Sequence, residues 1–245
     1  MRENYTLTRL FIAAPLIQGA SIALTKEQVH YLGTVLRKSV GDSLRVFNGE
    51  GGEWNAKIAM LSRKGGEFGL TEQLRAPMAS PDVWLCFAPV RKHRTAFIIE
   101  KATELGAREF YPLITQRTQF SRLNVDKARL QAIEAAEQTE RLDVPVVHDV
   151  RSLHDMLSGW DETRRLIFAD EAGDAAPALD VLNELPKTPA AILIGPEGGF
   201  TPTEREILRA QAFVTPVSLG PRILRADTAA LSLLTLWQAV RGDWA

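Results

Sequence analysis

A chain of 245 residues with 45% hydrophobic residues and a formal net charge of −1 is long enough to bury one or two substantial cores, and no apolar run in it is long enough for a membrane-spanning helix. The near-zero balance argues neither for nor against a polyanionic partner. A lone cysteine, Cys86, excludes disulfides within the chain and makes a cysteine-based zinc site untenable, which fits a reducing cytoplasm.

Charge is not spread evenly. Through residue 129 there are 19 Lys and Arg against 12 Asp and Glu, whereas the remainder carries 10 against 18, so an anion-facing surface is sought in the first half. The opening stretch has a short apolar patch broken by Pro15 and Gln18 that leads into a charged segment, so no export signal is expected. From Arg9 to Leu74 short alternating segments such as "RLFIA", "SLRVFNG" and "GEWNAKIAML" are separated by turns at Gly41-Asp42, Asn48-Gly49 and Gly65-Gly66. They predict the strands of a small twisted sheet or barrel. One helix is predicted among them, over 25–38, with Val29, Leu32 and Leu36 at helical spacing and Thr25 as its cap. The stretch "RAPMASPD", residues 75–82, holds two prolines and little to bury, and reads as a linker between a domain over 1–75 and another over 82–245.

Beyond it the pattern becomes strand, helix, strand. "DVWLCFAPV", "EFYPLIT", "RRLIFADE", "AAILIGP" and "FVTPVSLG" read as strands, with helices over "TAFIIEKATELGA", "VDKARLQAIEAAEQTE" and "DTAALSLLTLWQAVR". This alternation predicts an α/β domain on a mostly parallel sheet, whose ligands gather at the carboxyl ends of strands.

Two strand ends carry glycine turns. After Ile194 the chain reads Gly195-Pro196-Glu197-Gly198-Gly199, with neither the dinucleotide glycine pattern nor the lysine of a phosphate loop. Thr201, Pro202 and Glu204 then form a helix-start signature, which accounts for the glycines as turn residues but not for Glu197. In "SLGPRILRADTAA" the chain bends at Gly220-Pro221, presents Arg222 and Arg225, and enters a long helix near Asp227. Asp227 and Thr228 are equally well read as helix caps. Two such turns side by side would form a pocket rich in backbone groups for a small polar molecule.

The segments "EKATELGA", "PLITQRTQFS", "AIEAAEQTERLDVPVV", "LIGPEGGFTPTE" and "SLGPRILRADTAAL" resemble, in order and spacing, the bacterial 16S ribosomal RNA uridine-N3 methyltransferases, the RsmE family of the SPOUT superfamily. The resemblance extends over essentially the whole chain. It implies an N-terminal PUA-like β-barrel and a C-terminal SPOUT methyltransferase domain with a trefoil knot. It also implies S-adenosylmethionine as cofactor, a homodimer, and 16S rRNA or the assembled small ribosomal subunit as partner. Periodicity alone would predict an unknotted sheet. By the resemblance the cofactor is held by Thr115, Leu193, Ile194, Gly195, Pro196, Glu197, Gly199, Leu219, Gly220, Ile223, Leu224 and Arg225. Arg225 would stabilise the uracil anion or orient the substrate, with Glu197 or Asp227 as proton acceptor. The chain departs from the family in having His93-Arg94 in place of Gly-Asp, Thr139-Glu140-Arg141 in place of Ser-Gly-Arg, and Asp227 in place of Glu.

The basic residues Arg9, Arg37, Lys38, Arg45, Arg94, Arg117 and Arg122 are candidates for RNA phosphate contacts, and the target uridine must be unpaired or flipped outward to expose N3. His30, His93, His148 and His154 form no metal pattern, so no metal is expected. The apolar face of the terminal helix is a candidate dimer seam. Rival readings are a non-catalytic ribosome-assembly factor and a methyltransferase acting on a ribose hydroxyl.

Overall fold

The computed structural model describes residues 6–172 and 174–245. The chain forms two compact units, Met1–Ala79 with Ala136–Val144, and Ser80–Ala135 with Pro145–Ala245.

In the first unit, β1 (Arg9–Phe11), β2 (Ser21–Ala23), β3 (Ser43–Asn48), β4 (Gly52–Ser62) and β5 (Gly65–Arg75) form one sheet in the order β1-β3-β4-β5-β2. Among the described residues only the β1–β3 pair of this sheet is parallel. The alternation legible in the sequence has its usual cause: Trp54, Ala56 and Ile58 of β4 and Phe68 and Leu70 of β5 turn inward onto Ile22 and Leu44, while Lys57 and Ala59 face water. The predicted helix is only partly α-helical. α1 (Lys26–His30) starts at a capping box between Thr25 and Gln28, then widens into a π-helical turn over Tyr31–Val35. The widening shows in the bond from Leu36 N–H to the Tyr31 carbonyl, and the segment ends at Arg37 in the left-handed region, φ 55.

The segment 136–144 completes this unit, which the linear reading does not foresee. Ala136 and Leu142 are buried against Phe47, with Phe11 and Val144 beside them. A buried ion network joins the same elements. Arg9 Nε lies 2.7 Å from Glu53 Oε1 and Arg75 Nε 2.7 Å from Glu53 Oε2. Arg45 grips Glu140 with both terminal nitrogens, at 2.8 and 2.6 Å. Arg9 also donates to the carbonyls of Ala136, Glu137 and Arg141. Arg9 and Arg45 are therefore not the exposed phosphate contacts expected from sequence. They are 6% and 3% exposed, held inside by carboxylates that offset the cost of burying their charge.

In the second unit β6 (Val83–Phe87), β7 (Glu109–Ile114), β8 (Val146–Val147), β9 (Arg151–Ser152), β10 (Arg165–Ala169), β11 (Ala190–Ile194) and β12 (Val214–Val217) form a sheet in the order β12-β10-β11-β6-β7-β8, with β9 also paired to β7. Every pair is parallel. Strands covered on both faces need continuous apolar runs, and all five residues of β11 are buried. The helices are α2 (Lys92–Glu104), α3 (Val125–Gln138), α4 (Leu153–Ser158), α5 (Ala178–Glu184), α6 (Pro202–Arg209) and α7 (Ala226–Arg241). α7 buries Ala226, Ala229, Ala230, Leu233, Leu234 and Trp237 at helical spacing and packs on α2, α5 and β11. Each fully buried leucine there contributes about 1.5–3 kcal/mol. The apolar face suggested as a dimer seam is thus occupied within the chain itself.

Candidate active site

A parallel sheet brings the loops after its strands to one edge. Because β10 lies between β11 and β12, three loops leave side by side, and residues 169–171, 194–199 and 218–224, with Ala226 and Ala229 of α7, line a cavity of about 280 Å³. The walls include nine residues named from sequence: Ile194, Gly195, Pro196, Glu197, Gly199, Leu219, Gly220, Ile223 and Leu224.

Three named residues are not on these walls. Leu193 is fully buried in β11 as part of the sheet core. Thr115 is also buried, its hydroxyl 2.9 Å from that of Thr118. Arg225 is exposed as the extended residue that precedes α7, and supplies no side-chain cap. Sequence reasoning in turn missed the third loop, Ala169, Asp170 and Glu171. A usable signal was present, since "LIFADE" ends a buried strand in carboxylates just as "ILIGPE" does.

The first loop is held from several sides. Thr201 and Glu204 make the predicted capping box at α6 with Pro202 in its first turn, and the buried Glu204 also accepts the Gln116 N–H at 2.7 Å. Arg117 donates to the Gly198 carbonyl at 2.9 Å, and to that of Phe200, so this expected RNA contact is spent on bracing the loop. A side chain at Gly195 would meet the Phe200 ring at 2.7 Å, and Gly199 has φ 68 with the Glu171 carboxylate where a β-carbon would stand. Both glycines are thus required by the loop's own packing and backbone. Asp170, whose side chain is wholly buried, pairs with Arg205 Nε at 3.1 Å and Arg209 Nη2 at 2.7 Å, two residues one turn apart on α6.

Arg94, another expected RNA contact, is half-buried between the first loop and α7. Its Nη1 is 2.8 Å from Asp227 Oδ2 and its Nε 4.0 Å from Glu197 Oε1. The other Asp227 oxygen accepts the Thr228 N–H at 2.9 Å. Both oxygens of Asp227 are engaged, whereas among the described residues Glu197 has only the longer contact to Arg94. Of the remaining basic candidates, Arg37 and Arg122 are exposed and Lys38 is half-buried. His148 stacks on Tyr111 at 4.0 Å and lies 2.6 Å from Glu109 Oε2. No group of three or more His, Cys, Asp or Glu among the described residues could hold a metal ion, and no helix among them is long and apolar enough to cross a membrane.

Comparison with known proteins adds the family context. The profile of an RNA methyltransferase domain matches residues 78–238, and that of an RNA methyltransferase PUA domain matches residues 24–70. The chain is 34% identical to ribosomal RNA small subunit methyltransferase E of Rickettsia conorii over 92% of its own length and 93% of the relative's. It is 30% identical to the Bacillus subtilis protein of that name, over 92% and 94%. Among solved structures it resembles a Legionella pneumophila protein in complex with S-adenosylmethionine, with TM-score 0.87 and 29% identity over 97% of this chain and 99% of that one. It also resembles the small subunit methyltransferase E of Neisseria gonorrhoeae bound to S-adenosylmethionine, with TM-score 0.88 and 25% identity over 98% and 100%.

Proposed function

The chain belongs to the ribosomal RNA small subunit methyltransferase E family, and on that premise we propose that it methylates N3 of a specific uridine in 16S ribosomal RNA, using S-adenosylmethionine. The observation that carries this reading is the convergence of three strand-end loops on one cavity. Its walls fit the cofactor by chemistry. Leu219, Ile223 and Leu224 offer apolar surface to an adenosyl group, loop amides and carbonyls offer hydrogen bonds, and Glu171 offers a carboxylate to a sulfonium cation. Bound there, the cofactor supplies an electrophilic methyl carbon.

The chain's own residues have two tasks. Uracil N3 is protonated when neutral, so a base must take that proton as the new bond forms, and a cation near the uracil carbonyls must stabilise the anion. We assign the proton to Glu197, because Asp227 already has both oxygens engaged. Arg225 suits the second task. It is exposed at the start of α7 next to a wall residue, and makes no ion pair within 4 Å among the described residues. The proposal includes a knotted second domain, a cytoplasmic location and a homodimer.

The test is nucleoside mass spectrometry of 16S rRNA from cells with and without the gene, together with calorimetry of the purified protein and S-adenosylmethionine. Loss and restoration of 3-methyluridine, with Arg225→Ala and Glu197→Gln each slowing transfer by about a hundredfold or more while cofactor affinity changes little, are the expected results. A ribose-methylated product, or no cofactor binding, would overturn the reading.

A further inference from the structure

A second cavity, of about 720 Å³, lies in the same unit between the first turn of α2, the loop before α3 and the start of α3. Its walls carry Lys92, His93, Arg122 and Lys127, and no carboxylate. None of these four side chains makes an ion pair within 4 Å among the described residues, unlike Arg94, which is committed to Asp227. Phe120 stands on the wall with 37% of its surface exposed.

Such a wall is unfavourable for the isolated protein. Lys92 opens α2, whose first turn holds no acidic residue, so its positive side chain sits at the positive end of the helix dipole. An anionic occupant relieves that repulsion. An exposed aromatic ring among unpaired cations has the composition of a single-strand nucleic-acid site, where bases stack and phosphates meet basic side chains. The two cavities share one turn of helix: residues 92, 93, 95 and 96 line the second, while Arg94 points to Glu197 and Asp227 at the first.

We propose that this second cavity seats an unpaired nucleotide of the RNA substrate, with its base stacked on Phe120 and the adjoining phosphates met by Lys92, Arg122 and Lys127. The identification of the occupant as RNA rests on the methyltransferase reading; the cavity and its charge do not.

The experiment measures binding of a short fluorescent single-stranded oligouridylate, and of duplex RNA of equal length, across a salt series. Wild type should prefer the single strand. Phe120→Ala should weaken that binding by about tenfold, and Phe120→Tyr should restore it, because stacking and not bulk is required. Lys92→Ala and Lys127→Ala should each reduce the salt slope by about 0.7, the value for one phosphate on a single strand. Cofactor affinity, measured by calorimetry, should be unchanged in all four. Failure of wild type to bind the single strand, or unaltered binding by Phe120→Ala and both lysine variants, overturns the proposal. So does a change in sedimentation with binding unaltered, which would make the occupant a second copy of the chain. The expected binding pattern without any methyl transfer would uphold the cavity assignment and remove the catalytic one.

Discussion

Arg94 Nη1 lies 2.8 Å from Asp227 Oδ2, joining the first turn of α2 to the first turn of α7 beside the 194–199 loop. Both residues are departures from the family pattern in the resemblance drawn from sequence, and in the structure they answer each other. Arg94→Ala and Asp227→Ala should each destabilise the fold by about 1 kcal/mol. The double variant should cost less than their sum, the mark of a direct pair. Urea unfolding of the four proteins checks this, and strict additivity would show that the pair is not coupled.

Glu140 is the third such departure. It has φ 63, a conformation that costs a residue with a β-carbon about 1–2 kcal/mol. Arg45 and Arg75 hold its carboxylate there, at 2.6 and 3.2 Å. Glycine would relieve the backbone but leave two arginines short of a partner, one of them buried. Breaking a buried pair costs about 3–5 kcal/mol, so Glu140→Gly should lose a net of about 1–4 kcal/mol in urea unfolding despite suiting the backbone better. A stabilised variant would refute this account of the network.

Acid should unfold the same region. Burial alone would raise the pKa of Glu53, but hydrogen bonds from Arg75 and Arg9, together with their charges, outweigh it and hold the carboxyl below its ordinary value of 4.5. A group depressed in the folded state contributes stability that is fully present above its unfolded value and is lost as pH falls through the folded one. Unfolding free energy should therefore decline below about pH 4.5. In Glu53→Gln, less stable at neutral pH, that decline should be shallower, as read from urea curves at several pH values.

The glycines of the first loop should differ in tolerance. Gly199 has φ 68 and faces Glu171, whereas a β-carbon at Gly198 would make only ordinary contact with Arg117, at 3.5 Å. Gly199→Ala should cost about 1–2 kcal/mol of stability, and Gly198→Ala much less. Thermal melts distinguish them, and equal losses would contradict this reading of the loop.

Most elements were legible because each rests on local chemistry. The run Ala190–Ile194 is apolar throughout because a central parallel strand is buried on both faces, and Thr201, Pro202 and Glu204 declare the start of α6 through bonds made within four residues. The two glycine turns were readable for the same reason, since a strand must end before a helix can begin. The charged residues were harder. Arg9, Arg45, Arg94 and Arg117 look alike in a sequence, yet two are buried in an ion network, one is tied to Asp227 and one braces the loop carbonyls. An arginine's role depends on which acceptor lies within reach, and acceptors 44, 95, 133 and 81 residues away in the chain are brought there only by folding. Propensity and local hydrogen bonding made the longer strands, the caps at Thr25 and Thr201 and two of the three cavity loops readable from residues alone. The short strands β8 and β9, the start of α7 at Arg225 in place of a cap by Asp227 or Thr228, the third loop and the partner of each arginine depend on strand order and long-range packing, which bring those groups together only in the folded chain.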